Sequence, residues 1–324
     1  MGGRIEKEKR ARTEMQQRLS NLPEIFTLFY EWMDARDKSY TTMKSYINHV
    51  IEFMNFVEGE DASEKFYKKI TDRHIEKFMV FIRRQVVNGE EVEVGDDIRA
   101  AKWSSLNTFF KFLSQKKFIE YNPMAQTERP KIRTKHSVTY MTPDEIKTVF
   151  DRIEKESIPA FKNRDACIVA IGLGTGLRVS AITNIDIEDI DFKSNSIKVI
   201  EKGRKTRSIK FADNLKNALL IWINDRKEKF DGGDTGPLFI SKRRNRMSVD
   251  AVRDVVAKYT DHLPKHITPH KLRSSAAMNL YSNGVGILTI ASVLGHENVS
   301  TTQRYTRAYD EEQAQATNIL DSMF

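Results

Sequence analysis

A histidine and a tyrosine nine positions apart frame a polar turn in LGHENVSTTQRYTR, residues 294–307. An imidazole can hold or donate a proton near neutral pH, and a phenol oxygen becomes a nucleophile once it loses its own. Tyr305 and Tyr309 compete for that role, one helical turn apart, although a tyrosine on a helix is by default a packed amphipathic side chain. A second cluster lies in TPHKLR, residues 268–273. Thr268 suits an N-cap and Pro269 the first helical position, so His270 and Arg273 fall three apart on one helix face in or near the first turns. A helix N-terminus favours anions, and an imidazole and a guanidinium added there make a phosphate site. An exposed helix start with an incidental ion pair is the plainer reading of that fragment alone.

Two other chemistries compete. In GLGTGLRVS, residues 172–180, Gly172, Gly174 and Gly176 follow an apolar run, as the glycine loop of a nucleotide-binding βα unit such as a methyltransferase would. Glu201 even ends a later strand, but Ala170 stands where such loops usually carry an acid two before the first glycine. His262, His266 and His270 have i,i+4 spacing, yet Pro264 and Pro269 interrupt any shared helix face, and neither an HExxH pattern nor a second cysteine is present. Zinc is therefore not expected.

These residues need elements to hold them. Residues 22–125 read as helices: Met43, Tyr46, Ile47, Val50, Met54 and Val57 recur at helical spacing before Gly59, and Trp103, Leu106, Phe109, Phe110 and Leu113 do the same. Those aromatic stripes are core by default. Residues 126–139 read as a basic linker. Thr142, Pro143 and Glu145 then form the capping box of a new helix. Ile197 and Val199, then Ile209 and Phe211, alternate about Gly203 and predict a small antiparallel sheet with EKGRKTR at its hairpin tip. Gly295 marks a helix C-terminus, which sets His296 at a corner, and Ser300 with Gln303 reads as an S-x-x-Q box opening the helix of Tyr305.

Charge narrows the partners. The chain of 324 residues carries 53 Lys+Arg against 45 Asp+Glu, a formal charge of +8. The excess is +4 in residues 1–137 (25 against 21) and +4 in 138–324 (28 against 24). With a pI near 9.3, a polyanionic partner is a reasonable prior. One cysteine, Cys167, excludes an internal disulfide and fits a reducing compartment. No apolar run reaches the roughly 20 residues of a membrane span. The N-terminus has no apolar signal region, so a soluble, cytoplasmic protein is expected.

Taken in order, TGLRVS, EKGRK, HKLR and LGHENVSTTQRYT resemble the tyrosine recombinases of the Xer and phage-integrase type. The match is strong over residues 140–310, and 22–125 resembles the family's core-binding domain at the level of fold. The resemblance implies a mostly α protein with a small antiparallel β-sheet. It would comprise a basic N-terminal segment (1–21), a helical SAM-like core-binding domain (22–125), a basic linker (126–139) and an α+β catalytic domain with an oligomerisation tail (140–324). Position by position, the catalytic set falls on Arg178, Lys202, His270, Arg273, His296 and Tyr305, and Tyr309 lies outside the motif. The family often has an acid three after the first arginine and a second histidine after HxxR; Ala181 and Ser274 stand there instead, which leaves open how the arginines are supported.

The activity implied is site-specific recombination. Tyr305 would attack a DNA phosphodiester, both arginines would clamp the phosphoryl oxygens, the histidines would assist, and Lys202 would protonate the departing 5′-oxygen. The 3′-phosphotyrosine keeps the bond energy for religation, so neither metal nor another cofactor is required. Partners implied are double-stranded recombination sites and further copies of the chain, a tetramer on DNA with the tail packed on a neighbour, and no membrane. The setting would be integration or excision of a mobile element, or dimer resolution. DNA contacts are expected from Arg129, Lys131, Arg133 and Lys135 in the linker, Arg204, Lys205 and Arg207 on the hairpin, and Lys242, Arg243 and Arg244. A DNA-binding protein with a dead site would need none of the catalytic set, and a relaxing topoisomerase would differ only in assembly.

Overall fold

A computed structural model describes residues 12–59, 65–87, 89–132, 138–200, 206–230, 235–296 and 298–321. The chain divides into two compact units, Met1–Thr134 and Lys135–Phe324. Among the described residues no helix is long and apolar enough to cross a membrane.

In the first unit, helical residues 12–19 precede α1 (Glu24–Asp34), α2 (Tyr40–Glu58), α3 (Asp72–Phe81) and α4 (Asp96–Gln115). The Ser39 hydroxyl caps α2 by accepting from the Thr42 N–H, and the helix stops at Gly59, whose φ of 76° belongs to the glycine-favoured region. Phe26, Phe29, Phe53, Phe66, Phe78, Phe109 and Phe110 are fully buried. Burying a ring of this size stabilises by about 1.5–3 kcal/mol relative to leaving it exposed. The aromatic stripe of α4 is therefore core, as its spacing predicts.

One element departs from the all-helical expectation. An antiparallel hairpin, β1 (Arg84–Val87) with β2 (Glu90–Glu93), is inserted between α3 and α4. Its signal is the Asn-Gly pair in VVNGEEVEV. Gly89 takes φ 87° there, and Asn88 lies outside the described residues.

The second unit contains α5 (Pro143–Glu156), α6 (Lys162–Thr175), α7 (Val179–Asn184), α8 (Asp213–Phe230), α9 (Val249–Thr260), α10 (Pro269–Ser282), α11 (Ile287–Leu294) and α12 (Ser300–Asp321). A three-stranded antiparallel sheet follows α7, ordered β3 (Ile190–Asp191), β4 (Ser196–Ile200), β5 (Thr206–Lys210). Ile197 pairs with Ile209 and Val199 with Arg207, and Ile197, Val199 and Ile209 are buried. Thr142 and Glu145 make the expected capping box at α5.

Apolar almost all round, α6 is the central helix; Cys167, Ile168, Val169 and Ile171 are buried, and α8 and α10 pack against it. This overturns the nucleotide-loop reading of its glycines, because the apolar run that leads into them is helix and not strand. Gly172 lies within α6, where a Cβ would meet Leu272 Cδ1 at 2.7 Å. Gly176 ends the helix in the left-handed conformation, φ 60°. The glycines serve close helix packing and a helix stop.

Candidate active site

Three segments meet at Gly176. Its carbonyl oxygen accepts a 2.6 Å hydrogen bond from Arg273 Nη1 on α10. Its missing Cβ would lie 2.3 Å from Leu294 Cδ2 at the end of α11. Two residues on, Arg178 is the N-cap of α7, with an exposed side chain. The turn thus binds TGLR to the HKLR helix and to the corner that carries His296. It also answers what supports Arg273 where Ala181 and Ser274 replace the usual partners: a backbone carbonyl holds the guanidinium, which is 1% exposed. That support has no side-chain signature in the sequence.

Pro269 opens α10 with Thr268 at its N-cap, which puts His270 and Arg273 in the first turns as expected. Gly295 closes α11 with φ 68°; its own N–H and that of His296 bond back to the carbonyls of Ser292 and Ala291. His296 Nδ1 lies 2.7 Å from Thr302 Oγ1, and Thr302 is fully buried. The start of α12 corrects one expectation. Ser300 is the first helical residue rather than the cap, and its N–H donates to Asn298 Oδ1 at 2.9 Å. Asparagine closes this turn through its own side chain, a habit it shares with aspartate.

Tyr305 is 1% exposed and belongs to a small apolar cluster with Ala277, Met278, Ile290 and Leu294. Its ring stacks nearly parallel to His296, at 6.5 Å between centroids and 14° between planes. Its hydroxyl oxygen accepts a 2.9 Å hydrogen bond from Arg304 Nη2, which is also 3.2 Å from His270 Nε2. Tyr309 instead packs edge-on to Tyr281, rings 5.3 Å apart at 88°. Of the two tyrosines, Tyr305 is the one brought to the histidines and arginines.

Electrostatics tie the rest together. Desolvation, then the charges of Arg273, Arg178 and Arg304, push the His296 imidazole down to about 4. Although His270 keeps an exposed edge, desolvation and then Arg304, Arg273, Lys271 and Arg178 hold its imidazole below the ordinary value. Lys271 is itself lowered, by desolvation first and Arg304 next. Both histidines are therefore neutral at pH 7 inside a cluster of cations. A phosphate diester would relieve the mutual repulsion of such a cluster.

Lys202, Arg204, Lys205, Arg133 and Lys135 lie outside the described residues. Arg129, Lys131, Lys242, Arg243 and Arg244 are exposed. Arg207, expected as a DNA contact, uses Nη1 to cap α11, donating to the carbonyls of Ser292 at 2.7 Å and Val293 at 3.0 Å. The last base of KRRNR is also structural: Arg246 pairs with Asp186 and donates to the Thr183 carbonyl at 2.9 Å. Sequence reasoning missed Arg304 and Thr302, and with them the carbonyl of Gly176.

The model of the phage integrase family matches residues 139–312. A tyrosine recombinase XerC from Caldanaerobacter subterraneus is 38% identical over 225 residues, 68% of this chain and 62% of that protein. Another, from Syntrophus aciditrophicus, is 30% identical over 299 residues, 88% of this chain and 93% of that protein. Two solved structures share the fold. A lambda integrase dimer bound to a COC′ core site superposes with a TM-score of 0.64 at 20% identity, over 88% of this chain and 94% of that one. XerH bound to a palindromic difH substrate, a post-cleavage complex, gives 0.64 at 17%, over 89% and 82%. On its sequence, its fold and the convergence of its motifs, the chain belongs to the phage integrase family of tyrosine recombinases.

Proposed function

We propose that this chain cleaves and rejoins duplex DNA with Tyr305 as nucleophile and so exchanges strands between two recombination sites. The observation that carries this reading is the gathering at one phenol of His296, stacked on the Tyr305 ring, and Arg304, which joins its hydroxyl to His270, with the charges of Arg273 and Arg178 bearing on both imidazoles. A bond forms between the Tyr305 oxygen and phosphorus as the bond from phosphorus to the 5′-oxygen breaks. The phenolic proton passes to solvent water and the 5′-oxygen gains one, leaving a 3′-phosphotyrosine and a free 5′-hydroxyl. Arg178 and Arg273 would hold the non-bridging oxygens, which gather charge in the transition state. His270 and His296, both neutral, can each donate one N–H to the same phosphate. Lys202, which follows β4 in the sequence and lies outside the described residues, is the proposed proton donor to the 5′-oxygen.

A different 5′-hydroxyl attacking the phosphotyrosine yields an exchanged strand. Whether the outcome is integration, excision or dimer resolution follows from where the two sites lie and how they point. The reading also gives the first unit, with exposed Arg129 and Lys131 at its end, a role in binding the duplex. A single cysteine, Cys167, with no second one to form an internal disulfide, suits a cytoplasmic protein.

The test uses a pool of nicked suicide duplexes in EDTA, from which the short fragment bearing the freed 5′-hydroxyl diffuses away. SDS-stable protein–DNA adducts are expected from the unaltered chain and from Tyr309→Phe, and none from Tyr305→Phe. Adducts that survive Tyr305→Phe and vanish with Tyr309→Phe would overturn the assignment. Tight binding without any adduct, in a pool shown to contain the bound site, would mark a DNA-binding protein with an inactive site.

A further inference from the structure

Arg304 Nη2 lies 2.9 Å from the Tyr305 hydroxyl oxygen and 3.2 Å from His270 Nε2. A guanidinium only donates. Both partners must therefore accept, and the two hydrogens on Nη2 suffice for both. This assigns His270 as a neutral imidazole with its proton on Nδ1, in accord with the lowered value that desolvation and then Arg304 give it. It also leaves His270 Nε2 occupied, so this imidazole nitrogen is not free to take the phenolic proton while Arg304 stays in place.

Adjacent residues on an α-helix project about 100° apart, so the contact is not an automatic result of sequence adjacency. The Arg304 side chain folds back, its guanidinium carbon 4.9 Å from the centre of the Tyr305 ring, and reaches over to α10. The tyrosyl oxygen is neutral as a phenol before cleavage and is an ester oxygen after it. Between these states it carries partial negative charge, in cleavage and in religation alike. A cationic donor fixed on that oxygen is strongest in the transition state and weaker in both ground states, which is the condition for catalysis.

We propose that Arg304 is a catalytic residue of the strand-transfer reaction, donating to the tyrosyl oxygen while it carries charge and fixing His270 in its neutral form. The inference rests on the reading of Tyr305 as nucleophile. It implies activation of the phenol by a cationic surround in place of a neighbouring base.

The test measures single-turnover adduct formation on a suicide duplex for the unaltered chain, Arg304→Ala, Arg304→Lys and Tyr305→Phe, with duplex affinity measured in parallel. Loss of such a donor costs on the order of 100-fold in rate. Arg304→Ala should show that loss with a much smaller change in affinity, and Arg304→Lys should recover part of the rate. Ethylguanidinium added to Arg304→Ala should restore adduct formation, which a packing defect would not allow. A duplex with sulfur replacing the bridging 5′-oxygen needs no proton on its leaving group. The Arg304→Ala defect should persist on it, since the lost contact is at the nucleophile.

Arg304→Ala reacting within about 3-fold of the unaltered chain would overturn the proposal, as would a defect that disappears on the sulfur substrate or resists added guanidinium. Failure of the underlying reading would look different: Tyr305→Phe would still form adducts, or the adduct peptide would not contain Tyr305.

Discussion

His296 stands where three cationic side chains and burial act together, and its imidazole is pushed down to about 4. An unfolded histidine titrates near 6.5. Between those values the unfolded chain binds more protons at this position than the folded one, so stability rises with pH across the window and is lost as pH falls through it. His296→Gln removes the titrating group and keeps a side chain able to reach Thr302. The melting temperature of the unaltered chain is expected to fall from pH 7 to pH 4.5 more steeply than that of His296→Gln, as scanning calorimetry would show. Equal slopes would mean that the imidazole is not held neutral. At this scale His270, Arg273, His296 and Tyr305 each had a plainer reading alone, as an exposed helix start or a packed tyrosine, and it was the order of the four motifs and their resemblance to a family that singled them out. Arg304 was not among them, since its role depends on a side chain folding back along α12, and no spacing rule encodes that.

The elements position these residues through a few close approaches of backbone. Gly176 is the clearest, because α6 must end in a left-handed turn while Leu294 and Arg273 close over it. Gly176→Ala puts a Cβ 2.3 Å from Leu294 Cδ2 at a φ of 60°. Overpacking of this kind costs about 1–3 kcal/mol, with backbone strain in addition. We expect a melting point several degrees lower and cleavage reduced further than stability alone explains, because the shift passes to both Arg178 and the His296 corner. Gly176→Ala with Leu294→Ala should recover cleavage in part; no recovery, in an adduct assay beside calorimetry, would locate the fault in the backbone turn alone. Helices, capping box and the β4–β5 hairpin were all legible from periodicity and turn chemistry. The β1–β2 hairpin was passed over because one Asn-Gly signal lay inside a long helical region. The α6 glycines misled for a physical reason: a glycine-rich stretch after an apolar run looks alike whether its lack of side chains admits a phosphate or a neighbouring helix.

At the scale of the whole molecule, α12 raises the question of assembly. It runs 22 residues, a rise of about 33 Å, yet among the described side chains it buries only Thr302, Tyr305 and Ala308, near its start. Beyond Tyr309 the described side chains, Asp310, Glu311, Gln313, Ala314, Thr317, Asn318 and Asp321, are all exposed. Ile319 and Leu320 follow on its last turns, and Met323 and Phe324 lie outside the described residues. The same unit holds an apolar recess of about 640 Å³ lined by Ile146, Phe150, Ala170, Leu173, Leu215 and Ala218 among others. If the tail packs on a neighbouring copy, as the sequence leads one to expect, this recess is a site it could fill, a head-to-tail contact that closes into a ring when the rotation permits. Deleting residues 312–324 should leave single-copy DNA complexes on a native gel and suppress larger ones, and Ala218→Glu, which sets a charge in the recess, should do the same. Mixing the two variants supplies one intact tail and one intact recess, so two-copy complexes should return without larger rings. If the tail instead packs on its own unit, the deletion would lower the melting temperature, assembly on DNA would persist, and the mixture would show nothing that either variant alone does not.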